Sequence, residues 1–305
     1  MTEIDAVRLN FTPESLIALD VILAFVLFGV ALDIRVADFK GIVTAPRGTL
    51  IGLLAHSVLL PAVAWALTMV LKPAPSIALG MILVASCPSG NISNFLVNYA
   101  RGNTALSVTI AAFSMAGSIF FTPFNLAFWG ALNPDTRPIL HSVSLSPWEV
   151  LGTVIVLLGI PTVLGVWVAH RFPGFAVRSR RAFRVLSLSF FVLFVVGALV
   201  ANWDFFMRYV NRVVLFVFLL NAFALLTGYY TARLARLPEA DRRAVSLEVG
   251  IQNSGFGLAL VFNFFGGLGG MAIVAAWWGI WHIIAGLTLS TWWRRRPPAA
   301  ARATA

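Results

Sequence analysis

The chain has 305 residues, of which 59% are hydrophobic and 11% charged, against about a quarter charged in a typical soluble domain. That balance excludes an ordinary soluble fold. The net charge of +10 does not indicate nucleic-acid binding, because the basic residues fall in short segments between apolar runs, where they set membrane orientation.

Residues 1–15 carry Glu3, Asp5 and Glu14 against Arg8 alone, and no small-residue cleavage site follows the first apolar run. They read as a retained external tail rather than a signal peptide. Apolar runs of roughly 20 residues then recur, each long enough to cross a ~30 Å hydrocarbon layer. Lipid offers the backbone no hydrogen-bond partner, so such runs must be helices. The expected spans are 16–36, 47–71, 74–101, 103–132, 147–170, 183–203, 208–233, 240–266 and 267–293. Thr12-Pro13-Glu14 and Ser146-Pro147 each place a capping hydroxyl before a proline at the first helical position, and Asn133-Pro134-Asp135 is punctuation between spans.

Nine spans put the termini on opposite sides. With the C-terminus inside, the inner segments hold 17 basic residues: Arg35, Lys40, Arg47, Arg101, a cluster from Arg171 to Arg184, another from Arg233 to Arg243, and Arg294, Arg295, Arg296 and Arg302. The outer segments hold Arg8, Lys72, Arg137, Arg208 and Arg212. This asymmetry predicts an external N-terminus and a cytoplasmic tail at 294–305 in a cell membrane. A ten-span reading that cuts 103–132 in two separates the charges less cleanly. Arg101 reads as a topology anchor, and the arginine clusters as inside determinants in contact with anionic lipids.

Two spans break the membrane rule. The third contains Cys87-Pro88-Ser89-Gly90-Asn91-Ile92-Ser93-Asn94 and the eighth Glu248-Val249-Gly250-Ile251-Gln252-Asn253-Ser254-Gly255. The preceding spans start about 43 and 44 residues before these breaks, and about 42 and 41 residues remain to the ends of the spans that follow. The two halves run in opposite directions, and inverted repeats with paired interrupted helices are a recurring transporter plan.

Glu248 is the most informative residue. A carboxylate in mid-membrane costs at least ~2.5 kcal/mol, so it pairs or serves function. Gln252, the one glutamine in the chain, lies four residues on and shares its helical face. Hard cations such as Na⁺ prefer oxygen ligands. The breaks offer the hydroxyls of Ser89, Ser93 and Ser254, the amides of Asn91, Asn94, Gln252 and Asn253, and freed carbonyls at Val249 and Ile251. Broken helix ends also expose N–H groups that suit an anion. The single Cys87 excludes an intramolecular disulfide and reads as a small buried residue.

On these residues the chain resembles the bile acid:sodium symporter family. The resemblance covers nearly the whole chain. It rests on Cys87-Pro88-Ser89-Gly90 with Ser93-Asn94, Ala100-Arg101-Gly102-Asn103 with Ala105-Leu106-Ser107-Val108, the Glu248–Gly255 stretch, and Trp281-His282. It implies an all-α polytopic membrane protein of nine transmembrane helices, with inverted repeats, two crossing broken helices, and core and panel domains. Within a transporter domain at 16–293, the core is 47–132 and 208–293 and the panel 16–36 and 147–203. It further implies symport of an organic anion with Na⁺. One cation would lie at Ser93, Asn94, Ser107 and Glu248, and a second at Glu248, Gln252 and the carbonyls of Val249 and Ile251. Substrate would meet Asn253 and His282, with Asn91 and Ser254 at the same helix ends.

Three positions depart from the family pattern. Ala111 stands where a hydroxyl is expected one turn after Ser107, His56 where the second span carries a glutamine, and Ile283 where an asparagine can follow His282. His56 is therefore open to two readings: a proton carrier standing in for one cation, or a hydrogen-bonded histidine beside a weakened site. The competing functions are a proton-coupled or efflux carrier of the same fold, including metalloid export through Cys87, and a membrane-embedded binding or sensor protein. Without paired catalytic carboxylates in a span or a metal-ligand cluster in the sequence, an enzyme is not expected, nor is an obligate protein partner.

Overall fold

The computed structural model describes residues 3–8, 13–32, 43, 46–90, 92–142, 152, 155–201 and 203–298. The helices are α1 (Glu3–Ala6), α2 (Pro13–Ala31), α3 (Pro46–Leu71), α4 (Pro75–Ser86), α5 (Ile92–Tyr99), α6 (Thr104–Leu132), α7 (Arg137–Ser142), α8 (Ile155–Arg171), α9 (Pro173–Ala201), α10 (Trp203–Leu234), α11 (Glu239–Gly250), α12 (Ser254–Phe265) and α13 (Gly269–Arg294). Four of them, Pro46–Leu71, Thr104–Leu132, Phe206–Leu234 and Gly269–Arg294, are long and apolar enough to cross a membrane. The count among the described residues rises to five if the pair bent at Phe172 is taken as one span.

The order long helix, broken pair, long helix occurs twice: α3, α4 with α5, α6; then α10, α11 with α12, α13. The pairs interrupt where the sequence places its polar residues. Proline 88 has no N–H to continue α4, and α11 stops where Ile251 turns extended, at φ −116° and ψ 103°. The two breaks bond to each other. Gly90 N–H donates to the Ile251 carbonyl and Asn253 N–H to the Pro88 carbonyl, both at 2.8 Å, and Ser89 and Gln252 form an antiparallel bridge. A Cβ at Gly90 would lie 3.0 Å from the Gln252 carbonyl oxygen, so the approach needs glycine there.

The long helices supply what the breaks still lack. Thr122 of α6 donates to the Ser86 carbonyl at 2.7 Å, and Ser114 accepts from Ser89 N–H at 3.0 Å. Helix α3 widens into a π-turn over Ala55–Leu59 that carries His56 into the interior, a distortion found mostly at functional sites. Pro61 cannot bond the Ser57 carbonyl four residues back, and Asn125 Nδ2 donates to it instead at 2.9 Å.

Several outer segments differ from the sequence expectation. Residues 3–8 are docked rather than a free tail: Ile4 and Asp5 are buried, and Asp5 accepts from Ser76 N–H at 2.8 Å, placing a carboxylate at the positive end of α4. The Arg178–Arg184 cluster lies within continuous helix α9, because arginine is a good helix former once Pro173 has started the turn. Asp20 lies inside α2 and accepts from Asn263 of α12 at 2.7 Å.

Arg243, expected as an inside charge, is buried. Its guanidinium donates to the Ala100, Trp293 and Arg296 carbonyls at 2.9, 3.1 and 2.7 Å and to Glu239 Oε1 at 3.1 Å. It thus caps the end of α13 and the turn that follows α5 from within α11. Arg243→Leu is expected to lower stability by about 2–4 kcal/mol, since it leaves three carbonyls without their donor and Glu239 with Arg242 as its remaining arginine. Arg243→Lys should recover little of that, because one ammonium lacks the planar fork that reaches several acceptors. Thermal unfolding in detergent measures both.

Candidate functional site

Glu248 sits on the last turn of α11 with no exposed surface. Ser89 Oγ donates to its Oε2 at 2.5 Å, Ser93 Oγ to its Oε1 at 2.7 Å, and Ser107 Oγ also to Oε1. Ser89 comes from the first break, Ser93 from α5 and Ser107 from α6, so the carboxylate ties three segments to α11. Among the described residues no Lys, Arg or His forms an ion pair with it. A lone buried carboxylate costs several kcal/mol, so Glu248 is stable here as the protonated acid or beside a bound cation.

The oxygens around Glu248 outnumber the available protons. Ser107 Oγ lies 2.7 Å from Asn94 Oδ1 while also meeting Glu248 Oε1, and one hydroxyl proton cannot serve both acceptors. Ser89 Oγ similarly lies 3.4 Å from the Ile251 carbonyl and 3.4 Å from Ser93 Oγ. Either the Asn94 amide turns to donate, or a cation shared by these oxygens satisfies them together. The donor set of one carboxylate, three hydroxyls and an amide suits a hard cation. No three His, Cys, Asp or Glu side chains converge among the described residues.

Gln252 is fully buried beside this cluster. Its Nε2 donates to the Val249 carbonyl at 2.8 Å and lies 3.4 Å from His56 Nδ1, while its Oε1 is buried without a partner. Turning the amide would face Oε1 toward the Val249 carbonyl, acceptor against acceptor, so the unpartnered oxygen is the favoured arrangement. His56 Nε2 is 2.8 Å from Ser114 Oγ, which also accepts from Ser89 N–H. Through Gln252 on one side and Ser114 on the other, one imidazole is linked to both breaks. The carbonyls of Val249 and Ile251, expected to be free, have protein partners in Gln252 and Gly90.

At the start of α12, Asn253 Oδ1 accepts from Phe256 N–H at 3.1 Å and caps the helix. Ser254 packs against α13 at Gly279, where a Cβ would meet its Oγ at 2.7 Å. His282 is one turn beyond Trp278, with ring centroids 6.3 Å apart, and both His282 Nδ1 and Trp278 Nε1 are buried without partners. Asn91 lies outside the described residues. Cys87 Sγ donates to the Leu83 carbonyl at 3.3 Å and is buried, the geometry of a packing residue.

The fold brings together Ser93, Asn94, Ser107, Glu248, Val249, Ile251, Gln252 and His56. Ser89, one of the break hydroxyls in the sequence, joins Ser93 and Ser107 on the carboxylate, a role its residue type alone does not signal. Sequence reasoning missed Ser114, whose signal is a spacing of two turns from Ser107 on one face of α6.

The description "Sodium Bile acid symporter family" matches residues 20–208. The chain is 29% identical over 276 residues to the uncharacterized sodium-dependent transporter YocS of Bacillus subtilis (strain 168), covering 90% of this chain and 83% of that one. It is 26% identical over 276 residues to a protein of Arabidopsis thaliana named "Probable sodium/metabolite cotransporter BASS1, chloroplastic", covering 90% and 66%. It is also 26% identical over 240 residues to the ileal sodium/bile acid cotransporter of Oryctolagus cuniculus, covering 77% and 66%. The relatives are transporters, and an all-helical chain with membrane-length apolar helices around a buried oxygen cluster has the matching construction. The chain belongs to the sodium bile acid symporter family, whose relatives here are membrane transporters and not enzymes.

Proposed function

We propose that this chain is a secondary active transporter that carries an organic anion inward with Na⁺ by alternating access. The observation that carries the reading is Glu248, a fully buried carboxylate with no cation among the described residues paired to it and more oxygen neighbours than protons to share. One Na⁺ would lie among Glu248, Ser93, Asn94, Ser107 and Ser89. A second would draw on Glu248, the unpartnered Oε1 of Gln252 and the carbonyls of Val249 and Ile251. Binding would neutralise the carboxylate and hold the two breaks together. The anion would then meet Asn91, Asn253 and Ser254 at the starts of α5 and α12, and on α13 His282, whose Nδ1 is buried without a partner.

The architecture that serves this mechanism has nine spans. The core, 47–132 and 208–293, rocks against a panel of 16–36 and 147–203, with the N-terminus outside and the 294–305 tail in the cytoplasm of a cell bounded by this membrane. The substrate classes that fit are bile-acid-like anions, steroid sulfates and small carboxylates, in keeping with relatives named for bile acid and metabolite cotransport. The surrounding partners are Na⁺ and lipid.

A second reading has its own observation. His56 lies against the Gln252 amide and is linked to the first break through Ser114, so a proton on its ring would place positive charge where the second cation would lie, and coupling would be mixed. Efflux, metalloid export through Cys87, and binding without translocation remain weaker readings, the second because Cys87 is buried and bonded.

Two experiments test these readings. In proteoliposomes with an inward Na⁺ gradient, a bile salt, a steroid sulfate and a small 2-keto acid are offered in turn. Saturable uptake of one of them is expected to need Na⁺ and to fall by at least about tenfold in Glu248→Gln, the loss of roughly 1.4 kcal/mol or more of coupling. Uptake indifferent to Na⁺, or intact in Glu248→Gln, would sink the reading, and binding without uptake would favour the sensor. For His56, the mixed-coupling reading expects uptake to depend on pH between about 5 and 8. In His56→Gln the pH dependence should vanish while the number of Na⁺ per anion rises. An unchanged stoichiometry and a flat pH profile in both proteins would make His56 a hydrogen-bonding residue only.

A further inference from the structure

Helix α11 ends at Gly250, so the carbonyls that a continuing helix would bond need partners from elsewhere. Three different groups meet those of Val249, Gly250 and Ile251. Gln252 Nε2 donates to the Val249 carbonyl at 2.8 Å, and Gly90 N–H donates to that of Ile251 at 2.8 Å. The third is Asn221, whose Nδ2 donates to the Gly250 carbonyl at 2.7 Å. The first two groups belong to the site or its breaks. Asn221 reaches in from α10.

Stability alone does not account for an asparagine at this place. It is 1% exposed, and its Oδ1 is buried without a partner. A half-satisfied amide in an apolar interior is costly, whereas leucine of similar volume is not. The packing around it is arranged for reach. A Cβ at Gly228 of α10 would stand 2.7 Å from Ser246 Cα, and one at Gly250 would stand 2.3 Å from Leu225 Cδ2, so two glycines let α10 close on α11.

The consequence lies in the next peptide. Ile251 is extended, with φ −116° and ψ 103°, and in extended backbone the carbonyls on either side of a residue point in opposite directions. Holding the Gly250 carbonyl toward α10 therefore turns the Ile251 carbonyl toward Gly90 N–H and Ser89 Oγ, which is the side of the Glu248 cluster.

We infer that Asn221 is a positioning residue for the cation site: by gripping the Gly250 carbonyl it fixes the peptide between residues 250 and 251, and so aims the Ile251 carbonyl and the Gln252 side chain. Thr122 grips the Ser86 carbonyl of the first break in the same manner. The inference rests on the proposed Na⁺ coupling.

The test uses the purified full chain in detergent, with NaCl titrated against KCl at constant ionic strength and the unfolding temperature followed. Asn221→Leu keeps the volume and removes the grip. It is expected to move the Na⁺ midpoint upward by about tenfold or more, the scale seen when residues supporting metal ligands are removed, with a much smaller change in the Na⁺-free unfolding temperature. Asn221→Asp, which sets a carboxylate oxygen against the Gly250 carbonyl, should shift the midpoint at least as far. Asn221→Ser keeps a donor with shorter reach and should fall between wild type and Asn221→Leu; it carries the test if the leucine variant does not fold. A wild-type midpoint in the variants, with only the unfolding temperature lowered, would reduce Asn221 to a packing role and overturn the inference. If wild type itself shows no Na⁺-dependent shift, the coupling reading falls and this inference falls with it, and the wild-type curve tells the two failures apart.

Discussion

A carboxylate with no exposed surface, and no ion pair among the described residues, is the constraint on which the rest of the structure depends. Glu248 cannot hold a bare charge in this interior, so its surroundings are built to receive a positive species. Three hydroxyls from three segments converge on its two oxygens. Each hydroxyl is also near another acceptor, which leaves the cluster short of positive charge rather than short of hydrogen bonds. Under the proposed function a cation would complete it, and a proton on Glu248 would complete it less fully. A difference between two such occupancies is what a coupled transporter requires.

The second constraint is the backbone. A helix interrupted in a water-poor interior frees carbonyls and N–H groups that must find partners. Here each break serves the other, through the paired segments at Ser89–Gly90 and Ile251–Asn253. Polar side chains of the long helices meet what remains, with Thr122 on one break and Asn221 on the other. Serine, threonine and asparagine at these places are therefore not generic helix-to-helix glue. They allow irregular backbone to exist in this interior, and irregular backbone turns carbonyls toward the Glu248 cluster. The π-turn of α3 follows the same logic, because it delivers His56 between the breaks while Asn125 covers the carbonyl that Pro61 leaves open.

The ends of the broken helices are held by charges. Asp5 sits at the start of α4, and Arg243 gathers the carbonyls that close α13 and follow α5. These two residues anchor the ends of the segments that carry the site. A residue counted as an orientation signal in the sequence can thus be a buried cap in the fold. The two roles agree, since a cation favours a helix C-terminus as well as the inner side of a membrane.

Much of this was legible in the sequence for local reasons. Apolar length dictates helices because lipid satisfies no backbone group, and Pro88, Gly90, Gly250 and the polar residues beside them dictate where two helices stop. Glu248 and Gln252 announce themselves by being ionisable or polar where burial is expensive. The family motif led from there to Ser93, Asn94 and Ser107. What the sequence could not reveal is which distant groups meet: Ser114 with His56, Asn221 with Gly250, Thr122 with Ser86, Arg243 with three carbonyls. Each pairing depends on the lateral position and rotation of one helix against another, a matter of packing between surfaces that no periodicity along the chain records. The sequence by itself determined the class of protein, its helical character and the two breaks. Only the tertiary structure decided the partners of the freed carbonyls, because those partners are chosen by proximity in space.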